Sequence, residues 1–75
     1  MSQNDSAVLL NNHLQSTKQV HLLQWRFDQV GPLDHVIHHA IAYLGGREIG
    51  RGHGNTRNEA KRNACAIALQ TLGAA

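Results

Sequence analysis

The side chains best suited to chemistry lie at the start of a predicted helix near the end of the chain. Thr56 and Glu59 have the spacing of a capping box, which predicts a helix that begins at Arg57. The first turns of this helix carry three cations: Arg57, Lys61 and Arg62. The free backbone N–H groups of a helix start, together with basic side chains, can bind a phosphate group. The alternative is that these cations form an ordinary solvated surface.

The rest of this helix indicates how it packs. Apolar residues recur at spacings of three and four and define one face: Ala60, Ala64, Ile67, Ala68 and Leu72. We expect Arg57 and Lys61 to project away from this face, so that neither is needed for packing. The helix dipole disfavours cations in a first turn, so their position there is unusual. We expect Gly52 and Gly54, just before the helix, to let the backbone approach a ligand closely.

Length and composition indicate one small globular domain. The chain has 75 residues, of which 41% are hydrophobic, and a formal net charge of +2. The charge is uneven, because residues 1–44 carry a net charge of −1 and residues 45–75 a net charge of +3. Such a basic patch suits an anionic partner. The single cysteine, Cys65, is expected to be a buried small apolar residue. There is neither a membrane-spanning apolar run nor a signal-peptide core, so we expect an intracellular protein, in the cytoplasm, the nucleus or an organelle.

The elements that must position the cations follow from periodicity and turn residues. Asp5 or Ser6 can cap a first helix that ends near Ser16, with a flexible N-terminus over residues 1–5. Strands are predicted over residues 22–28, 36–44 and 47–51, and the hairpin turn is Gly45–Gly46. We therefore predict an α+β domain over residues 6–73. Its order is α-β-β-β-α, with a three-stranded antiparallel sheet and two helices packed on one face.

Two aromatic residues of the first strand are predicted to belong to the core. Trp25 and Phe27 are two residues apart and therefore share one face of the strand. A surface on which bases stack usually needs several exposed aromatic side chains, and the only other one here is Tyr43. We therefore expect Trp25 and Phe27 to pack in the core or at its edge.

The C-terminal stretch resembles the double-stranded RNA-binding domain family. Residues 50–69 read GRGHGNTRNEAKRNACAIAL, and the family pattern is G-x-G-x-S-K-K-x-A-K-x-x-A-A-x-x-A-L. The match covers about twenty residues with fixed spacing. Asn58 stands where the family has the second lysine of its basic trio. The resemblance implies that Arg57, Asn58, Lys61 and Arg62 face RNA phosphates.

Two further segments resemble the RNA-contacting parts of this family. Residues 10–15 (LNNHLQ) match the first-helix pattern L-n-E-y-x-Q, which implies minor-groove contacts from three amides: Asn11, Asn12 and Gln15. Residues 30–35 (VGPLDH) resemble the family's G-P-x-H loop, with the histidine one residue late. Either Asp34 takes the place of that histidine, or the loop is one residue longer and His35 contacts RNA; we favour the longer loop. His53, between two glycines, is a candidate for contact with the phosphate backbone, or it is an exposed loop histidine.

The sequence supports three hypotheses of function. The first is a non-catalytic module that binds A-form double-stranded RNA by shape. The second is a protein–protein or homodimerisation module on the same fold, favoured by Asn58 and the low net charge. The third is a piece of a larger RNA-processing enzyme, such as a ribonuclease III-type protein, because these domains often flank catalytic cores. We expect no catalytic residue, cofactor, metal site, membrane contact or small-molecule substrate. His38 and His39, for instance, are adjacent on a strand and point to opposite faces, so they cannot chelate a metal together.

Overall fold

The computed structural model describes residues 5–74 of the protein and confirms the predicted order of elements. These are α1 (Ser6–Ser16), β1 (Leu23–Val30), β2 (Ile37–Leu44), β3 (Arg47–Gly54) and α2 (Arg57–Thr71), with one 3₁₀ turn at Val20–Leu22. The strands pair antiparallel in the order β1-β2-β3. Both helices pack on one face of this sheet. The predicted two-layer α+β architecture is therefore confirmed, while residues 1–4 of the expected flexible N-terminus lie outside the described residues.

The first helix is capped by Asp5 rather than Ser6. The Asp5 Oδ1 atom accepts a hydrogen bond of 2.8 Å from the backbone N–H of Ala7. Leu10 and Leu14, one turn apart, are buried. The cap and this pair together fix where α1 begins and which side of it faces the sheet.

A tight turn and a β-bulge determine how β2 and β3 pair. Gly45 and Gly46 have φ angles of +61° and +84°, as expected for a two-residue hairpin turn between β2 and β3. The pairing of β2 with β3 shifts between Ala42 and Tyr43, which leaves Ile49 as an extra residue on β3. Ile49 is buried with Leu10 and Leu14 of α1, so the bulge adds a large side chain to the core.

Glycines in β3 allow α2 to lie directly on the strand. A Cβ atom at Gly50 would be 2.5 Å from the carbonyl oxygen of Ala64, and one at Gly52 would be 2.8 Å from that of Ala60. No real Cβ atom fits at such distances, and the facing residues of α2 are alanines. Gly54 is also buried, against the Glu59 side chain. The expectation that Gly52 and Gly54 admit a ligand is therefore wrong, because α2 occupies that space.

The ends of two strands and one residue of the packed face of α2 differ from the sequence prediction. Strand β1 extends to Val30, and β3 extends to Gly54, so His53 lies in a strand and not in a loop. Ile67 was assigned to the packed face of α2, but it is 43% exposed. The buried residues of α2 are instead Ala60, Ala64, Cys65, Ala68 and Leu69. The reason is α1: Cys65 and Leu69 share the core cluster with Leu10 and Leu14, which turns Ile67 outward.

The close contact of α2 with β3 predicts different costs for alanine at two neighbouring positions of β3. Gly52→Ala places a Cβ against the backbone of α2, which can give way only if the helix moves. Overpacking of this kind costs about 1–3 kcal/mol. For a domain of this size, each kcal/mol lowers Tm by roughly 4–8 °C.

His53→Ala is the matched control, since it places alanine at the next position of β3, where the side chain is exposed on the sheet face away from α2. We expect Gly52→Ala to lower Tm clearly more than His53→Ala, as measured by thermal unfolding followed by circular dichroism. Equal losses would show that helix–strand proximity at Gly52 does not limit stability.

Candidate nucleic-acid interface

The start of α2 is fixed by reciprocal capping bonds. The Thr56 hydroxyl accepts a hydrogen bond of 3.1 Å from the Glu59 backbone N–H, as predicted. The Glu59 carboxylate accepts one of 3.0 Å from the backbone N–H of Asn55, one residue before the cap. The predicted capping box and the helix start at Arg57 are thus confirmed. These two hydrogen bonds fix the first turn of α2. They therefore define the backbone positions of the cations in this turn and the next.

Two of the cations lie over aromatic rings of β1. The Arg57 guanidinium carbon is 4.0 Å from the centroid of the Phe27 ring, and the Lys61 Nζ atom is 5.4 Å from that of Trp25. The two rings stack with centroids 5.8 Å apart and planes inclined by 14°. We call Arg57 and Lys61 the cation pair, and Trp25 and Phe27 the aromatic pair. Each such contact contributes about 0.5–1 kcal/mol at an exposed site.

This contact corrects the expectation that the cation pair projects away from the packed face. Positions 57, 61 and 65 are each four residues apart, and Cys65 is buried in the core. They therefore form one row along α2, whose first two members lie over rings of β1 that pack at the edge of the core. The aromatic pair was missed as part of the site, because the spacing of Arg57, Lys61 and Cys65 shows only that the cations share a side of α2 with a buried residue.

The third cation, Arg62, is partly neutralised. Its Nε atom lies 3.4 Å from the Oδ2 atom of Asp5, the N-cap of α1. Asn58 is exposed, and with Asp5, Ala7, Lys61 and Arg62 it lines a groove of about 190 Å³ between the starts of the two helices. Among residues 5–74 the ion pairs are Arg62–Asp5 and Arg51–Glu48, so neither member of the cation pair forms an ion pair within this part of the chain.

The three predicted amides of α1 form one exposed stripe. Asn11, Asn12 and Gln15 are all exposed, and their spacing places them on one side of the helix. We call them the α1 amide stripe. Asn11 lines a groove of about 300 Å³ together with Trp25 and Lys61. The structure therefore brings the near end of this stripe beside the cation pair.

The loop between β1 and β2 presents both Asp34 and His35. Its turn is closed by a hydrogen bond of 2.9 Å from the His35 N–H to the Pro32 carbonyl. Gly31 has a φ of +109°, and a Cβ there would lie 2.6 Å from the His35 carbonyl oxygen, so this turn requires glycine. Asp34 and His35 are exposed and line a groove of about 500 Å³ that reaches Asn55, next to the cap of α2. The choice between these two residues stays a prediction.

His53 is separated from the other candidate residues. Its ring lies on the sheet face opposite the helices, beside its cross-strand neighbour His39, with centroids 6.0 Å apart. Only its carbonyl turns toward α2, where it accepts a hydrogen bond of 2.8 Å from the Asn63 side chain. The loop position assumed for His53 was wrong because β3 continues through it.

Other kinds of site find little support in the described part of the chain. Over residues 5–74, no three His, Cys, Asp or Glu side chains come together as metal ligands. No helix among these residues is long and apolar enough to cross a membrane. Burial raises the pKa of the Cys65 thiol to about 11, although the nearby Lys61 charge acts in the opposite direction. A thiol with such a pKa is protonated at neutral pH, which suits a packing role.

The chain matches a known protein family over most of its length. The sequence model of the family described as "Double-stranded RNA binding motif" matches residues 8–72. That match includes most of α1, all three strands and α2. No curated protein matches the chain significantly.

The two roles of Asp5 predict separable effects on stability. Asp5→Ala removes the cap of α1 and the ion pair with Arg62, so we expect a loss of about 0.5–2 kcal/mol in the free energy of unfolding. Asp5→Asn keeps an oxygen that can accept from the Ala7 N–H and removes only the charge. An exposed ion pair contributes about 0–1 kcal/mol, so the loss should be smaller. Urea unfolding of both variants measures the difference; equal losses would mean that the ion pair, and not the cap, is the main contribution of Asp5.

Proposed function

The chain belongs to the double-stranded RNA binding motif family, and we propose that it binds A-form duplex RNA by shape, as a non-catalytic module. The observation that carries the proposal is the cation pair at the start of α2, which forms no ion pair with a carboxylate of the described residues. Asn11 of the α1 amide stripe shares a groove with Lys61, and the groove of the His35 loop reaches Asn55, next to the cap of α2.

Each of these parts suits a different feature of an RNA duplex. The wide minor groove of A-form RNA displays 2′-hydroxyls, to which the amides of the α1 stripe can donate and from which they can accept hydrogen bonds. The His35 loop would contact a second minor groove. The cation pair would then face the phosphates across the major groove between these two contacts. The family resemblance supports this division of roles.

The remaining candidates have lesser roles in this proposal. Arg62 shares its charge with Asp5, so it contributes less than a free cation does. Asn58 is exposed in the first turn and can donate an amide hydrogen bond to a phosphate oxygen, without a charge. His53 is not included, because its side chain lies on the opposite face of the sheet.

A second candidate function is a protein–protein or homodimerisation module on the same fold. It is favoured by the small number of free cations at the site. Asn58 supplies no charge and Arg62 is paired with Asp5, so the cation pair holds most of the attraction for phosphate. Each phosphate contact adds about one unit to the salt dependence of binding, so this surface predicts a shallow dependence.

The main test of RNA binding is discrimination between duplex types. We expect the protein to bind a 20-base-pair RNA duplex more tightly than a DNA duplex of equal sequence, because B-form DNA lacks the 2′-hydroxyls and the A-form groove spacing. Full affinity should require roughly 16 base pairs of RNA. Fluorescence anisotropy at three salt concentrations measures these affinities.

Two variants of equal charge locate the binding surface within this experiment. Arg57→Gln and Arg26→Gln each remove one positive charge, but Arg26 lies on β1 at the sheet face away from the helices. Only Arg57→Gln should weaken RNA binding and flatten the slope of log affinity against log salt by about one unit. Equal effects of the two variants would contradict the proposed surface. No binding of RNA by the parent, with dimers in size-exclusion chromatography and light scattering, would favour the protein–protein function instead.

The β1–β2 loop gives a prediction that separates its two candidates. If His35 contacts RNA, His35→Ala should weaken binding by about 1 kcal/mol, the usual net value of one hydrogen bond. Asp34→Ala removes a negative charge near phosphate and should leave affinity equal or higher. Both side chains are exposed, so Tm should change little in either variant. The opposite pattern, with binding weakened only by Asp34→Ala, would assign the contact to Asp34.

A further inference from the structure

The aromatic pair packs against the core clusters and also contacts the cation pair. Trp25 and Phe27 are only half-buried, at the edge strand β1, and each carries one member of the cation pair over its ring. We propose that these two rings are positioning residues that hold Arg57 and Lys61 in the orientation that binds phosphate. This inference rests on the RNA-binding function proposed above.

The cation pair needs such support because of where it lies. The positive end of the α2 dipole is at Arg57, so the helix itself repels a cation in its first turn. The face of an aromatic ring is the negative part of its quadrupole and attracts the cation above it. The ring under each cation thus opposes the effect of the dipole and keeps the side chain over the start of the helix.

An aromatic ring, unlike a carboxylate, positions a cation without cancelling its positive charge. Asp5 holds Arg62 by an ion pair, which cancels charge that phosphate would otherwise attract. Phe27 holds Arg57 without an opposite net charge. A guanidinium stacked on a ring keeps its N–H groups at the edge of its plane, where they can donate to a phosphate. The aromatic pair therefore orders the two cations and leaves their charge for a ligand.

Ordering in the free protein should strengthen binding. Arg and Lys side chains have many rotamers, and fixing them on binding costs conformational entropy. A cation that already lies over a ring in the free protein has fewer rotamers to lose on binding, so this cost is smaller. Loss of a ring should therefore weaken RNA binding even though both cations remain.

The test is a double-mutant cycle on Phe27 and Arg57, with binding to a 20-base-pair RNA duplex at fixed salt. Phe27→Leu removes the ring and keeps an apolar side chain; Arg57→Gln removes the charge. We expect Phe27→Leu alone to weaken binding about three- to fivefold, the size of one cation–π contact. In the Arg57→Gln background, Phe27→Leu should have no further effect, because no cation remains for the ring to hold.

Two comparisons separate positioning from a general loss of structure. Phe27→Tyr keeps a ring and should retain the affinity of the parent. Tyr43→Leu removes an aromatic side chain from the opposite sheet face and should leave RNA affinity unchanged. If Phe27→Leu is unfolded at the assay temperature, Phe27→Met provides the same cycle with an unbranched side chain of similar size.

A measurement without RNA tests the contact itself. In the free protein, the ring current of Phe27 should shift the Arg57 Cδ proton resonances upfield, and Phe27→Leu should abolish this shift. An absent shift in the parent would overturn the inference.

The outcomes also distinguish the inference from the proposed function. If the parent binds RNA but Phe27→Leu weakens binding equally in both backgrounds, the ring is structural and the inference alone is overturned. If the parent binds no RNA duplex, the proposed function and the inference fall together.

Discussion

The position of α2 depends on the contact between its alanines and the glycines of β3. A helix this close to a strand cannot tolerate a Cβ on the strand side, and Gly50 and Gly52 have none. The two glycines therefore determine how closely α2 approaches the sheet and where it crosses β3. The same placement brings the first two turns of α2 across to β1, where Arg57 meets Phe27. A contact made only of small, uncharged residues thus determines where the charges of the site lie.

The parts of the fold that depend on residues near one another in sequence could be predicted. The capping box from Thr56 to Glu59 covers four residues, and the Gly45–Gly46 turn covers two. The order of helices and strands follows from such local signals together with hydrophobic periodicity. The end of β3 could not be predicted in this way, because glycines usually mark loops. Gly52 and Gly54 belong to a strand because α2 packs directly against them, and that contact is not visible in the local sequence.

The contacts of the cation pair also could not be predicted from nearby residues in the sequence. Its row on α2, which continues to Cys65, was visible in the spacing. A face chosen by hydrophobicity alone, however, selected Ile67 and excluded Arg57. The true partner of Arg57 is a ring on a strand thirty residues earlier, and that pairing requires the layer geometry. Hydrophobic patterning underestimates contacts of this kind, since a cation over a ring is both packed and charged.

The local arrangement of charge matters more for this surface than the net charge of +2. Arg62 and Arg51 each form an ion pair with a carboxylate, so their charges are partly neutralised. Arg57 and Lys61 lie over aromatic rings and form no ion pair within residues 5–74. A chain that is only weakly basic can therefore present two cations without ion-pair partners at one defined place. In the proposed RNA complex, counterion release would contribute little because there are so few phosphate contacts, and most of the discrimination would come from the amides and the loop. Because these can respond to the 2′-hydroxyls and groove spacing of A-form RNA, the proposal makes shape, and not charge, the main determinant of partner choice.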